Sequence, residues 1–263
     1  MPDAACPDAA PGVYFIGAGP GDPELLTVKA SRIIAAADLV LYAGSLVSPA
    51  VVALARPEAR VVDSAPLTLD ETHALMAEAA ARGELVARVH TGDPALYGAI
   101  AEQAALLAAS GIAYAVIPGV TSAAAAAAAF AVSFTVPEVT QTLILTRLAG
   151  RTPMPPGEAL ADLARHQAAM AVYLSAGDPE GVATALLGGG YPPETPVALA
   201  HRLGWPGEKR LWTTIAALAE TVRREGIDRQ TVFLVLPGLG RSTVSKLYDP
   251  GFAHACRPAR DAT

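Results

Sequence analysis

Val13-Tyr14-Phe15-Ile16-Gly17-Ala18-Gly19-Pro20-Gly21-Asp22-Pro23 decides how the first half of the chain is read. Four apolar residues with the length of a buried strand run directly into a glycine loop. The loop carries the first two glycines of the dinucleotide fingerprint G-x-G-x-x-G, but Asp22 stands where the third belongs. That third glycine lets the next helix pack on the strand with its N-terminus facing a pyrophosphate, and a carboxylate there repels such a group. Asp22 followed by Pro23 is instead the pattern of a helix N-cap with proline in the first turn. The ribose-binding acid expected about 20 residues further on could only be Asp38, which precedes the apolar run Leu39-Val40-Leu41 instead of ending it. Both departures argue against a nicotinamide or flavin oxidoreductase. Taken alone, the loop is also compatible with a tight strand-to-helix turn that binds nothing.

The chain has 263 residues and a formal net charge of −6, which suits one large α/β domain or two of about half the length. Alanine, a helix former, inflates the apolar fraction. The longest weakly polar run, 123–132, falls far short of the ~20 residues of a bilayer span, so no membrane partner is expected. The start Met1-Pro2-Asp3-Ala4-Ala5-Cys6 lacks the basic and apolar regions of a secretory signal, and a cytoplasmic protein is expected. Cys6 and Cys256 lie near opposite ends and indicate neither a disulfide nor a metal site. His73, His166 and His254 have no partner at metal-ligand spacing. The acidic balance argues against nucleic acid as the main partner.

Working outward from the first strand, short apolar runs alternate with helical patterns, the signature of a mostly parallel sheet covered by helices. Strands are predicted at 13–16, 39–42, 60–62, 85–90 and 114–117. Thr68-Leu69-Asp70-Glu71 forms a capping box ahead of an alanine-rich helix that Gly83 ends. Leu96, Ile100 and Leu107 line one helical face. The breaker-rich stretch 147–156 reads as a linker between an N-terminal α/β domain, 1–146, and a C-terminal α/β domain, 157–250, with 251–263 as a tail. In the second domain strands are predicted at 171–174, 197–200, 210–213 and 231–236, with helices at 180–187 and 215–224. Turn-linked strands there can run antiparallel, so a mixed sheet is expected.

Three loops follow predicted strands of the first domain: 17–23, Thr91-Gly92-Asp93-Pro94, and Pro118-Gly119-Val120-Thr121-Ser122. In an open α/β sheet these ends share the edge where ligands bind, and each loop supplies glycines for close approach together with hydroxyls or carboxylates. The series Gly17 to Pro23 with Leu26-Thr27, then Gly92-Asp93-Pro94 with Tyr97-Gly98, then Pro118 to Ser122, resembles the tetrapyrrole methylases over nearly the whole chain. Within that family, Tyr42-Ala43-Gly44-Ser45-Leu46-Val47, His90-Thr91-Gly92-Asp93, Thr140 through Arg147 and Gly150-Arg151-Thr152-Pro153 resemble the group that methylates C11 of precorrin-4 in cobalamin synthesis.

The resemblance implies two α/β domains with the active site in the cleft between them, S-adenosylmethionine as methyl donor, a tetrapyrrole substrate and a homodimer. By similarity the donor contacts are Pro20, Thr91, Gly92, Asp93, Leu96, Tyr97, Thr121 and Ser122, with Leu174, Ala200 and Leu203 from the second half. The glycine loop then faces the substrate. Asp22 is a candidate on that side and for taking a proton, beside its role as a cap; no catalytic base is named. Arg147 and Arg151 suit the many carboxylates of such a macrocycle, against the alternative of solvated linker arginines. His90, at a strand end, is a candidate for a place at or just behind the ligand, against the alternative of a packing role. Two positions depart from the family pattern: some relatives have aspartate at Gly44, and His201-Arg202-Leu203-Gly204-Trp205-Pro206 replaces a lysine-containing segment before Trp-Pro. The alternatives are transfer to a cobalt-containing substrate, another ring position or target, and a carrier that transfers nothing.

Overall fold

A computed structural model describes residues 12–241 and 243–258; Cys6 and the start of the chain lie outside them. Two five-stranded sheets carry the architecture, each with its own core.

The first sheet is built from β1 (Val13–Gly17), β2 (Leu39–Tyr42), β3 (Arg60–Asp63), β4 (Val86–His90) and β5 (Tyr114–Ile117), in the order β3-β2-β4-β1-β5 and parallel throughout. The connections contain α1 (Val28–Ala36), α2 (Pro49–Val52), α3 (Leu69–Ala81) and α4 (Ile100–Ala109), and α5 (Ser122–Ala129) follows β5. Because successive strand residues point to opposite faces, Tyr14, Ile16, Val40, Ala87 and Val89 pack with Ile33 and Ile34 of α1. Val13, Phe15, Leu39, Leu41 and Val86 pack with Met76 of α3 and Leu107 of α4. Arg88 and His90 continue the alternation of Val86 and stand on that second face. The capping box is present: Glu71 N donates to Thr68 Oγ1 and Thr68 N donates to Glu71 Oε2 at 2.7 Å.

The second sheet contains β6 (Leu143–Arg147), β7 (Ala169–Tyr173), β8 (Pro196–His201), β9 (Lys209–Thr214) and β10 (Thr231–Val235), in the order β6-β7-β10-β8-β9. It is mixed: β6 and β7 are parallel, while β10 runs antiparallel to β7 and β8, and β8 to β9. Helices α6 (Leu160–Ala164), α7 (Pro179–Gly188) and α8 (Leu218–Arg224) cover one face, with Leu160, Val182, Leu186, Leu218 and Val222 buried against Met170, Leu199 and Phe233.

The domain boundary differs from the sequence expectation. The chain divides into residues 1–125 with 202–208, and 126–201 with 209–263. The 147–156 stretch is a loop inside the second unit, since β6 precedes it and pairs with β7. Leu96 is also corrected: it precedes α4, because Tyr97 (φ 58°) and Ala99 (φ 47°) are left-handed and interrupt the helical run. Among the described residues no helix is long and apolar enough to cross a membrane.

Candidate functional site

The loops after β1, β4 and β5 meet as backbone against backbone. Ala18 N donates to His90 O at 2.7 Å, and Gly19 and Gly92 form a reciprocal pair, Gly92 N to Gly19 O at 2.8 Å and Gly19 N to Gly92 O at 3.2 Å. A Cβ on Gly17 would lie 2.5 Å from Gly119 Cα and 2.7 Å from Gly92 O, so this approach requires glycine. Asp93 ties the second loop to the third: its Oδ1 accepts from Ala95 N at 2.8 Å and its Oδ2 from Gly119 N at 3.0 Å.

A fourth segment, 202–208, joins these loops within the first unit. Trp205 Nε1 donates to Pro20 O at 3.0 Å, the Arg202 guanidinium lies 5.8 Å from the Trp205 ring centre, and a Cβ on Gly21 would meet the indole. Leu203 is buried there. Trp205→Phe keeps the packing and removes one hydrogen bond, so thermal or urea unfolding is expected to show a loss of about 1 kcal/mol. Full wild-type stability would remove Trp205 as the tie to the glycine loop.

Asp22 does act as a cap: its Oδ1 accepts from Glu24 N at 2.9 Å at the start of a 3₁₀ turn, Pro23–Leu25. Beyond it, the first unit brings together Pro20, Thr91, Gly92, Asp93, Leu96, Thr121 and Ser122. Leu96 N donates to Asp93 O at 3.1 Å, and Tyr97 stands exposed at its left-handed position. Gly92 (φ 60°) presents its Cα hydrogen toward Thr121 Cα and Ser122 N, 3.8 and 3.9 Å from where a Cβ would sit. Gly92 thus brings the second loop to ordinary van der Waals distance of the third at Thr121 and Ser122. Among the described residues, no group of three His, Cys, Asp or Glu side chains could hold a metal ion.

Leu174 and Ala200 belong to the second unit: Leu174 is left-handed (φ 53°) and exposed, and Ala200 is buried in β8. Arg147, at the end of β6, spends its guanidinium on its own loop, donating to Leu148 O at 3.3 Å, Thr152 O at 3.1 Å and Pro153 O at 2.8 Å. It therefore clamps its own loop. Arg151 is exposed.

The sequence reading passed over Asp63. Asp63, at the end of β3, accepts from Gly44 N at 2.9 Å and Ala65 N at 2.8 Å through Oδ1, and its carboxylate fills the space that a side chain on Gly44 would take. A carboxylate thus stands beside position 44 without being carried by it. His90 is 5% exposed, its ring 5.9 Å from that of Phe15, and its Nε2 has no hydrogen-bond partner. Burial, and secondarily repulsion from Arg88, lowers its pKa to about 3, so the imidazole is neutral at pH 7.

The chain matches the family Tetrapyrrole (Corrin/Porphyrin) Methylases over residues 12–219. It is 44% identical over 250 residues to a cobalt-precorrin-4 C(11)-methyltransferase of Priestia megaterium, covering 93% of this chain and 97% of that protein. With a precorrin-4 C(11)-methyltransferase of Pseudomonas aeruginosa the identity is 45% over 248 residues, covering 94% and 98%. A solved cobalt precorrin-4 methyltransferase superposes with a TM-score of 0.83 at 45% identity, over 85% of this chain and 93% of that one. A uroporphyrin-III C-methyltransferase of Thermus thermophilus, crystallised with S-adenosyl homocysteine, gives 0.73 at 28% identity over 89% and 96%. The chain belongs to the tetrapyrrole methylases.

Proposed function

We propose that this tetrapyrrole methylase transfers a methyl group from S-adenosylmethionine to C11 of precorrin-4, giving precorrin-5 in cobalamin synthesis. The observation that carries the reading is the locked set of three glycine loops, the first joined to the second by the Gly19–Gly92 backbone pair and the second to the third by Asp93. Identities near 45% to relatives named for this ring position support the substrate. When bound, the donor supplies a methyl on a cationic sulfur, and that charge is lost as the methyl leaves.

Such a reaction needs no protein nucleophile, because the attacking electron pair belongs to the ring carbon. The protein's part is to hold donor and acceptor in line about 3 Å apart and keep water out. Pro20, Thr91, Gly92, Asp93, Leu96, Tyr97, Thr121, Ser122 and Leu203 are assigned to the donor, with Leu174 and Ala200 from the second unit. Asp93 acts by fixing the loops, since its oxygens already accept two backbone N–H groups. His90, held neutral, adds no positive charge against a sulfonium. Asp22 and Arg151 are assigned to the substrate side, and Arg147 shapes the loop that carries Arg151. Arg151→Ala is expected to raise the KM for the tetrapyrrole about tenfold with little change in kcat; an unchanged KM takes Arg151 off the substrate.

The deciding experiment is incubation of metal-free and cobalt precorrin-4, side by side, with purified protein and methyl-labelled donor, read by mass spectrometry and NMR. Label at C11 of the metal-free substrate is expected. Faster turnover of the cobalt substrate would move the assignment to the form named for the Priestia megaterium relative. A blank assay with both ligands tightly bound would leave a carrier. The same reading makes the protein a cytoplasmic homodimer, which light scattering at micromolar concentration and cell fractionation test.

A further inference from the structure

The face of the first sheet that packs on α3 and α4 contains a charge without a counter-charge. Arg88 is 7% exposed, yet its partners are all neutral: Nε donates to Gln103 Oε1 at 2.8 Å, and Nη1 donates to Ser64 Oγ at 2.8 Å and to Leu41 O at 3.4 Å. Among the described residues no carboxylate stands within ion-pair distance of it, and its Nη2 donates to no acceptor of the protein. Burial lowers its pKa to about 10, which still leaves it charged at neutral pH. Buried charges are ordinarily paired, because an isolated one is costly to desolvate.

The guanidinium lines a cavity of about 250 Å³, whose wall also includes Ser64, Thr68, Thr72, Glu102 and Gln103. The ten-residue helix α4 begins at this wall, and its N-cap, Ala99, has no side chain that can accept from the first-turn N–H groups. A buried cation, hydroxyls and an uncapped helix start thus converge on one space, and each favours an anion. We propose that this cavity binds a single carboxylate, whose oxygen accepts from Arg88 Nη2 and supplies the missing negative charge. The space is below the 300–1,000 Å³ usual for drug-sized ligands, so it takes a short free acid or one carboxylate arm, not a macrocycle. Glu102, exposed at the wall in the first turn of α4, opposes any anion there and repels a dianion such as sulfate more strongly than a monoanion.

The test is calorimetric titration of the full chain with propionate, and with sulfate for comparison. Gln103→Glu places a carboxylate oxygen beside Arg88 Nε without removing the arginine. It is expected to weaken propionate binding about tenfold or more while raising the unfolding temperature of the ligand-free protein. Arg88→Lys, checked for folding by circular dichroism, is expected to weaken binding similarly. Displacement of propionate by the tetrapyrrole would identify the carboxylate as an arm of the substrate, and simultaneous binding would identify it as a free acid. No saturable propionate binding, equal affinity for sulfate, or affinity unchanged in Gln103→Glu would overturn the proposal. None of these readouts depends on methyl transfer.

Discussion

Gly119→Ala is expected to abolish most methyl transfer and to destabilise the first unit. The added Cβ would fall 2.7 Å from Gly17 Cα and 2.8 Å from Gly17 C, and closer still to Gly92 O. All three are backbone atoms of the two neighbouring loops, so no side chain can turn away. Gly92 O is also the acceptor for Gly19 N, and Gly119 N is held by Asp93; a shift of any one loop therefore disturbs the other two. Overpacking of this kind costs about 1–3 kcal/mol. The larger effect is on turnover, because a displacement of about 1 Å in a positioning site costs about a hundredfold in rate. Gly188→Ala, at the end of α7 with nothing near its Cβ position, is the control and should be neutral or stabilising. Urea unfolding and the labelled-methyl assay on both variants check this. A Gly119→Ala protein with normal stability and turnover would mean that the loops are not rigidly interlocked.

The same three loops show what a single sequence reveals and what it conceals. Parallel strands buried on both faces read as apolar runs, and their ends are marked by Gly17, Gly92 and Gly119. Both the sheet and the edge where its three glycine loops meet could therefore be placed from local pattern. Leu96 was misplaced because its spacing to Ile100 is helical, while the left-handed turn at Tyr97 and Ala99 leaves no periodic trace. The domain boundary failed for a related reason. Proline and glycine at 147–156 mark a break in regular structure, but only pairing shows that β6 already belongs to the second sheet. The return of 202–208 to the first unit rests on contacts such as Trp205 with Pro20, 185 residues apart, and no local signal encodes those. Arg88 did leave a trace, as the one charged residue in Leu85-Val86-Ala87-Arg88-Val89-His90. A charge at an inward position of a central strand is the unusual event in such a run.

His90 makes acid stability the second large expected effect. In the unfolded chain its imidazole takes a proton below about pH 6.5, whereas in the folded protein burial and Arg88 delay protonation to about pH 3. Between those values the unfolded state binds the extra proton, so His90 lowers stability as pH falls, by about 1.4 kcal/mol per pH unit once below the upper value. Its contribution to the loss at pH 5 is about 2 kcal/mol, and it levels off below about pH 3. His90→Gln should be less steeply acid-sensitive across that window, as measured by urea unfolding at fixed ionic strength from pH 7.5 to 4.5. Parallel pH profiles for the two proteins would show that the imidazole is hydrated or paired in the folded state. A neutral imidazole also bears on the site: His90 O holds Ala18 N at 2.7 Å, directly under the glycine loop. Protonation there would add a second buried positive charge beside Arg88 at the base of the loops assigned to a cationic donor. Because the folded protein protonates His90 only near pH 3, donor affinity is expected to hold from pH 7.5 to 4.5 while stability falls, and His90→Gln should change the pH dependence of stability alone across that range.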